Sequence, residues 1–229
     1  MHSLLGTGVQ TQILSVIYVV FIVLLPLSLA LALVFSRDVP SGLFYATALS
    51  INWPLGAASY FLIPALGPIY AAPASFADLP DSKATYLQGV LLDQRVEYLR
   101  DPVSAEIAQS IAAFASVHIS MIFTAALAAH LLGLARRLRI GLWILLALTT
   151  VATIYLGWHY VVDDVAGVLI GLVALALARV LTGFKLRSSR RLPQGPADPR
   201  PRALAGERGA RALRLLRGAR QHRGATSVP

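Results

Sequence analysis

Gly157-Trp158-His159-Tyr160-Val161-Val162-Asp163-Asp164 is the stretch on which the reading of this chain turns. One long apolar run ends in it and another begins from it, yet it holds a histidine and two aspartates. Ionisable groups within or beside membrane-spanning segments are rare and mark functional sites. His159 and Asp163 are four residues apart. On a helix they therefore share a face, with Cβ atoms about 5–6 Å apart. A carboxylate so placed holds one ring N–H, fixes the tautomer and leaves the other nitrogen free for chemistry. Asp164 points about 100° away and reads as a cap or surface group.

Working outward, the apolar runs on either side set the fold class. The chain has 229 residues, 56% hydrophobic and 14% charged, with a mean hydropathy of +0.66. That balance excludes an ordinary soluble domain. There is no cysteine, which excludes disulfides and thiolate chemistry. Runs near 20 residues mark spanning helices, and five are readable: about 13–35, 43–66, 116–135, 140–158 and 163–183. The expectation is an all-α, polytopic transmembrane bundle over 1–184. Asn52, Pro54 and Pro64 interrupt the second run, which reads as kinked or held inside the bundle. Trp158, Tyr155 and Tyr160 read as an interfacial aromatic belt, and Gly167-x-x-x-Gly171 as a helix-contact pattern. Residues 1–12 contain no Lys or Arg, so the N-terminus does not read as a cleaved signal peptide.

Between the second and third runs lies a long segment, 67–115. It opens with Gly67-Pro68, and its stretch 79–100 reads as a short surface helix. So long a connection in a compact bundle is usually functional. The formal net charge of +9 belongs to the tail. Residues 185–229 hold twelve Lys/Arg against Asp198 and Glu207, whereas the remainder carries eight basic and nine acidic residues. The tail reads as a proline-rich disordered linker followed by a basic, leucine-bearing stretch at 203–221. That stretch suits either anionic lipid or solvent, and nucleic acid is not expected. A cytoplasmic tail also places Arg136, Arg137, Arg139 and Arg37 inside, with Lys83, Arg95 and Arg100 outside. His159 and Asp163 then lie at the extracytoplasmic mouth. His118, in the first turn of the third run, reaches the same level, whereas His130 falls at the inner end.

Two histidines and a carboxylate suit nucleophilic phosphoryl transfer. One imidazole attacks phosphorus, Asp163 orients it and stabilises its charge, and the second imidazole exchanges protons with the leaving and entering oxygens. The same three residues would also serve as helix-packing polar groups or as metal ligands, although no further His or Cys at that level completes a metal set. A non-catalytic lipid-binding or transport protein with a His/Asp proton relay is the rival class. A phosphate group needs cations, and Arg95, Arg100 and Lys83 are the outer-side candidates.

Tyr155 to Gly167 resembles the third signature of the type 2 phosphatidic acid phosphatase superfamily, His-x-x-x-Asp followed by an apolar helix with Gly. Phe114-Ala115-Ser116-Val117-His118 resembles the second, Pro-Ser-Gly-His or Pro-Ser-Leu-His. Order, a separation of about 40 residues and the intervening helical hairpin also agree, and the likeness covers about 43–183. The resemblance implies His159 as nucleophile, Asp163 as its partner and His118 as general acid/base, without metal or other cofactor. It also implies a lipid phosphate or phospholipid substrate. Three features depart from the usual pattern. Thr153 stands six residues before His159, where an arginine is expected; Ala115 replaces the proline; and the Lys-x6-Arg-Pro signature is absent. Loss of that arginine with His159-Tyr160-x-x-Asp163 retained, together with Gly67-Pro68 after an apolar helix, resembles the branch of inositol phosphorylceramide and sphingomyelin synthases, which transfer headgroups between lipids. The classical arrangement of the superfamily has six spans, one more than is readable here.

Overall fold

The computed structural model describes residues 1–35, 38–103 and 111–185, and every element among them is helical. Arg37 and the tail beyond residue 185, with its 203–221 stretch, lie outside the described residues. The helices are α1 (His2–Leu5), α2 (Val9–Phe35), α3 (Val39–Leu62), α4 (Pro68–Ala71), α5 (Lys83–Arg100), α6 (Val117–Leu131), α7 (Arg136–Tyr155) and α8 (Val161–Thr182), with a 3-10 turn at Pro73–Phe76. All five apolar runs are helical. α2 (over Val9–Ala30), α7 and α8 are each long and apolar enough to cross a membrane.

The other two runs differ in instructive ways. α6 has 15 residues, about 22 Å of rise, against a hydrocarbon core of about 30 Å. Most of its side chains are buried, Ile119, Met121 and Ala126 among them. A helix enclosed by α3, α7 and α8 is apolar all round because it has no solvent face. α3 runs unbroken through Asn52 and Pro54 and stops at Leu62, ahead of Pro64. Asn52 explains its place inside the bundle. Fully buried, it donates to the Ala48 carbonyl at 2.7 Å and to Thr124 Oγ1 at 3.2 Å, and it accepts from Ser120. Hydrogen bonds of this kind join helices where lipid offers none.

α8 packs against both α3 and α6, and its small residues set the approach. A Cβ at Gly167 would collide with the Ser116 carbonyl, and one at Gly171 would come within 2.9 Å of the Ser120 carbonyl and of the Phe123 ring. The Gly167-x-x-x-Gly171 pattern is thus a contact face. Outward, Val165, Leu169, Leu172 and Val173 on α8 and Val16, Val20 and Val23 on α2 are exposed, an apolar girdle suited to lipid.

The 67–103 segment folds back over the α7–α8 turn. α5 starts with a capping box, in which Ser82 Oγ accepts from Thr85 N and Thr85 Oγ1 accepts from Ser82 N. Its first turns dock inward: Ala84 N donates to Ser15 Oγ on α2, and buried Gln88 donates to the Leu156 carbonyl at 2.8 Å. Trp158 and Tyr155 are buried in the resulting cluster with Leu14, Tyr18, Ala84, Ala152 and Leu156. The aromatic-belt reading is therefore corrected for these two, because α2 and α5 close over them. Tyr160 remains exposed.

Candidate active site

His159 sits on the turn between α7 and α8, and Gly157 makes that turn. Its φ of +73° is costly for any residue with a Cβ. The carbonyl of Thr153 then accepts the N–H groups of Trp158 and His159. Gly67 presses on the outside of the turn, and Ile69 N donates to the Gly157 carbonyl at 3.0 Å. A Cβ at Gly67 would run into the Trp158 carbonyl oxygen and lie 2.9 Å from that of Gly157. Gly67→Ala must therefore push back the backbone that carries His159. The expected cost is about 1–3 kcal/mol of stability, with a loss of turnover of about 10- to 100-fold. Thermal melting in detergent beside a turnover assay checks both, and an unchanged turnover would sink the positional argument.

His159 is buried, and its Nδ1 lies 2.8 Å from the Ala113 carbonyl oxygen. A carbonyl only accepts, so Nδ1 carries the hydrogen and donates it. In the neutral ring, Nε2 then holds the free lone pair. Burial pushes the His159 pKa down to about 4, against the opposing effect of the Ala113 hydrogen bond, so the ring is neutral at pH 7. The segment bearing Ala113 is itself anchored: Ala113 N donates to the Ala65 carbonyl at 2.9 Å, and Ala115 N donates to Ser59 Oγ at 2.9 Å.

Asp163 Oδ2 stands 3.9 Å from His159 Nδ1, within ion-pair range but beyond a hydrogen bond. Its hydrogen bond goes to Tyr160 N at 2.7 Å, which caps α8. The ring N–H expected to point at Asp163 thus points at a backbone carbonyl, which no side-chain pattern could announce. Asp163 stays close enough to act on the ring's charge.

His118 enters from the first turn of α6, where Ser116 is the N-cap. Its ring centroid lies 6.2 Å from that of His159. The Tyr18 ring stacks on it at 4.4 Å, and the Phe21 ring lies at 4.2 Å. Tyr18 in turn stacks on Trp158 at 4.8 Å, so an aromatic column joins the two histidine-bearing segments. Such faces hold an imidazole in one plane. Neither ring nitrogen of His118 is hydrogen-bonded to a described residue. Tyr18 and Phe21 gave no signal in the sequence, because they come from α2, about 100 residues away.

Asp164 is not the surface group its helical angle suggested. It is buried, and its Oδ2 lies 3.1 Å from the hydroxyl of Thr153, also fully buried. The first turn of α8 is enclosed on that side by the end of α7 and the start of α6. The candidate cations are all on α5, with Lys83 and Arg100 exposed and Arg95 half-buried. Among the described residues, none of the three is hydrogen-bonded to His118, His159 or Asp163. No group of three or more metal-binding side chains occurs among the described residues.

The family model of the PAP2 superfamily matches residues 2–177. The chain belongs to the PAP2 superfamily. Members are phosphatases and phosphotransferases, so this is a membrane enzyme of the phosphoesterase type. Neither curated proteins nor solved structures give a match. The PAP2 match takes in all of α2 to α7 and most of α8, hence both histidine-bearing segments.

Proposed function

We propose that the protein transfers a phosphoryl group from a lipid phosphate or a phospholipid headgroup through a phosphohistidine on His159. The observation that carries this reading is the pair of histidines 6.2 Å apart, with Nδ1 of His159 tied to the Ala113 carbonyl. Nε2 attacks phosphorus, and the bond from phosphorus to the leaving oxygen breaks. His118 gives that oxygen its proton. Water or an acceptor alcohol then loses a proton to His118 and attacks phosphorus, and the N–P bond breaks. Asp163, 3.9 Å from Nδ1, stabilises the positive ring of the intermediate.

Thr153 favours the headgroup-transfer branch. It is fully buried against Asp164, so α7 offers no cation at the position where an arginine is usual. A phosphodiester carries one negative charge and needs less compensation than a phosphomonoester dianion. The N-terminal end of α6, where His118 stands, supplies roughly half a positive charge. Lys83, Arg95 and Arg100 on α5 are the further candidates. Purified protein assayed on phosphatidate, on isoprenyl diphosphate, and on phosphatidylinositol with a ceramide or alcohol acceptor tests the reading. Transfer to the alcohol supports the transferase branch, and phosphate release supports the phosphatase. No turnover on any of them would favour the proton-relay alternative.

We further propose five spans with the site on the extracytoplasmic side and the C-terminus in the cytoplasm. The α7–α8 turn and α5 gather at one end of the bundle. Arg136, Arg137 and Arg139 start α7 at the other, about 30 Å away over 20 residues. The chain has no native cysteine, so single cysteines report cleanly. In cells, Ala74→Cys should react with an impermeant thiol reagent from outside and Ala135→Cys should not. The opposite pattern would invert the topology.

A further inference from the structure

Asp164 plays no part in the chemistry above, yet it is a buried acid between the two histidine-bearing segments. Three observations bear on its state. First, Thr153 Oγ1 lies 2.9 Å from the Thr150 carbonyl and 3.1 Å from Asp164 Oδ2. A threonine hydroxyl has one hydrogen. A carbonyl only accepts, so if that hydrogen goes to Thr150, Asp164 must be the donor in the second contact. Second, Asp164 Oδ1 is buried without a partner at ordinary hydrogen-bond geometry, and among the described residues the Ser116 hydroxyl is the further group that bears on the carboxyl. A carboxylate with one bare oxygen inside a bundle is far more costly than the carbonyl of a neutral acid. Third, no described cation pairs with it, and the charged neighbour on its own helix is Asp163, of like sign. The groups facing it from the adjoining elements are neutral hydroxyls, Thr153 of α7 and Ser116 ahead of α6.

The connections of those two hydroxyl residues give the site its dimensions. The Thr153 carbonyl holds the N–H groups of Trp158 and His159, and Ser116 caps the helix turn that carries His118. Ser116 N also donates to the Asp163 carbonyl at 3.0 Å. We propose that Asp164 is a positioning residue, a neutral carboxylic acid that latches the end of α7 to the start of α6 and so sets the distance between His159 and His118. This rests on the phosphoryl-transfer reading for its catalytic consequence, but not for the protonation state.

Asp164→Asn, Asp164→Val and Thr153→Val test it in the full-length protein. Asn mimics a neutral acid, with its NH2 donating to Thr153. It should keep kcat within about threefold of wild type from pH 5 to 8, whereas Asp164→Val should lose about 100-fold in kcat with little change in KM, as expected for a small misplacement of reacting groups. Thr153→Val should lose a similar amount, and the double variant no more than either single one. An Asn variant as impaired as the Val variant overturns the neutral acid. A fully active Val variant, or additive losses, overturns the latch. Infrared spectroscopy gives a readout without turnover. Wild type should show the carbonyl band of a neutral carboxylic acid at pH 7 that Asp164→Asn lacks, and its absence overturns the protonation state even if Asp164→Val fails to fold. Failure of the phosphoryl-transfer reading looks different: wild type itself would form no phosphoenzyme, with the band unaffected.

Discussion

His159→Ala should abolish turnover, by at least about 10⁴-fold, the scale seen when a nucleophile is removed. The fold should survive, because the ring's hydrogen bond to protein is to the Ala113 carbonyl. Ala113 keeps a second anchor through its own N–H to Ala65. An acid-labile, alkali-stable phosphoenzyme should form in wild type during turnover and be missing from the variant. A proton-relay protein would form none. Wild-type turnover surviving the substitution would end the nucleophile assignment. The same ring sets the acid limit. Burial holds its pKa near 4, below the ordinary histidine value of about 6.5. The unfolded chain therefore takes up this proton first as pH falls. The stability tied to the neutral ring is fully present above about pH 6.5 and is lost as pH falls toward and through about 4.

The apolar runs were legible as helices from length and composition, although among the described helices only α2, α7 and α8 are long and apolar enough to cross a membrane, and the His-x-x-x-Asp spacing marked the turn that brings His159 and Asp163 together. What was not legible came from the third dimension. Rotation about its own helix makes Asp164 a cap or a surface group, an argument that holds only when the other face meets solvent or lipid. Here α6 and α7 occupy it. Trp158 and Tyr155 looked interfacial for the same reason, since nothing in their neighbourhood reveals that α2 and α5 fold across them. Ala113 orients His159 through a backbone carbonyl, a group every residue possesses. Gly67 was noticeable as the opening of a loop, but its function is to let two backbones touch, and that needs the partner at Trp158. The nearness of His118 to His159 agrees with the level that the apolar runs give the two residues, whereas the aromatic cradle of His118 depends on an α2–α6 contact that no local pattern encodes.

His118→Ala should cost less than loss of the nucleophile, and the size of the loss should depend on the leaving group. An alkoxide leaving from phosphorus needs a proton in the transition state, and general acid catalysis of this kind contributes about 10²–10⁴-fold. His118 is placed for it. Its ring centroid lies 6.2 Å from that of His159, close enough for both rings to reach one phosphorus centre and its oxygens. Tyr18 and Phe21 hold its plane. On a phosphodiester with an alcohol leaving group the variant should fall by that factor. On the matching nitrophenyl ester, whose leaving group departs without a proton, the fall should be much smaller for the first step. Phosphohistidine should then accumulate, because the same ring must deprotonate the acceptor in the second step. Rapid-quench assays with the paired substrates separate the two steps. Equal losses on both substrates, with no accumulation of phosphoenzyme, would mean that His118 supports the site through the Tyr18 stack alone. In that case Tyr18→Leu should reproduce the defect in full, and proton transfer would have to be reassigned to another group at the mouth.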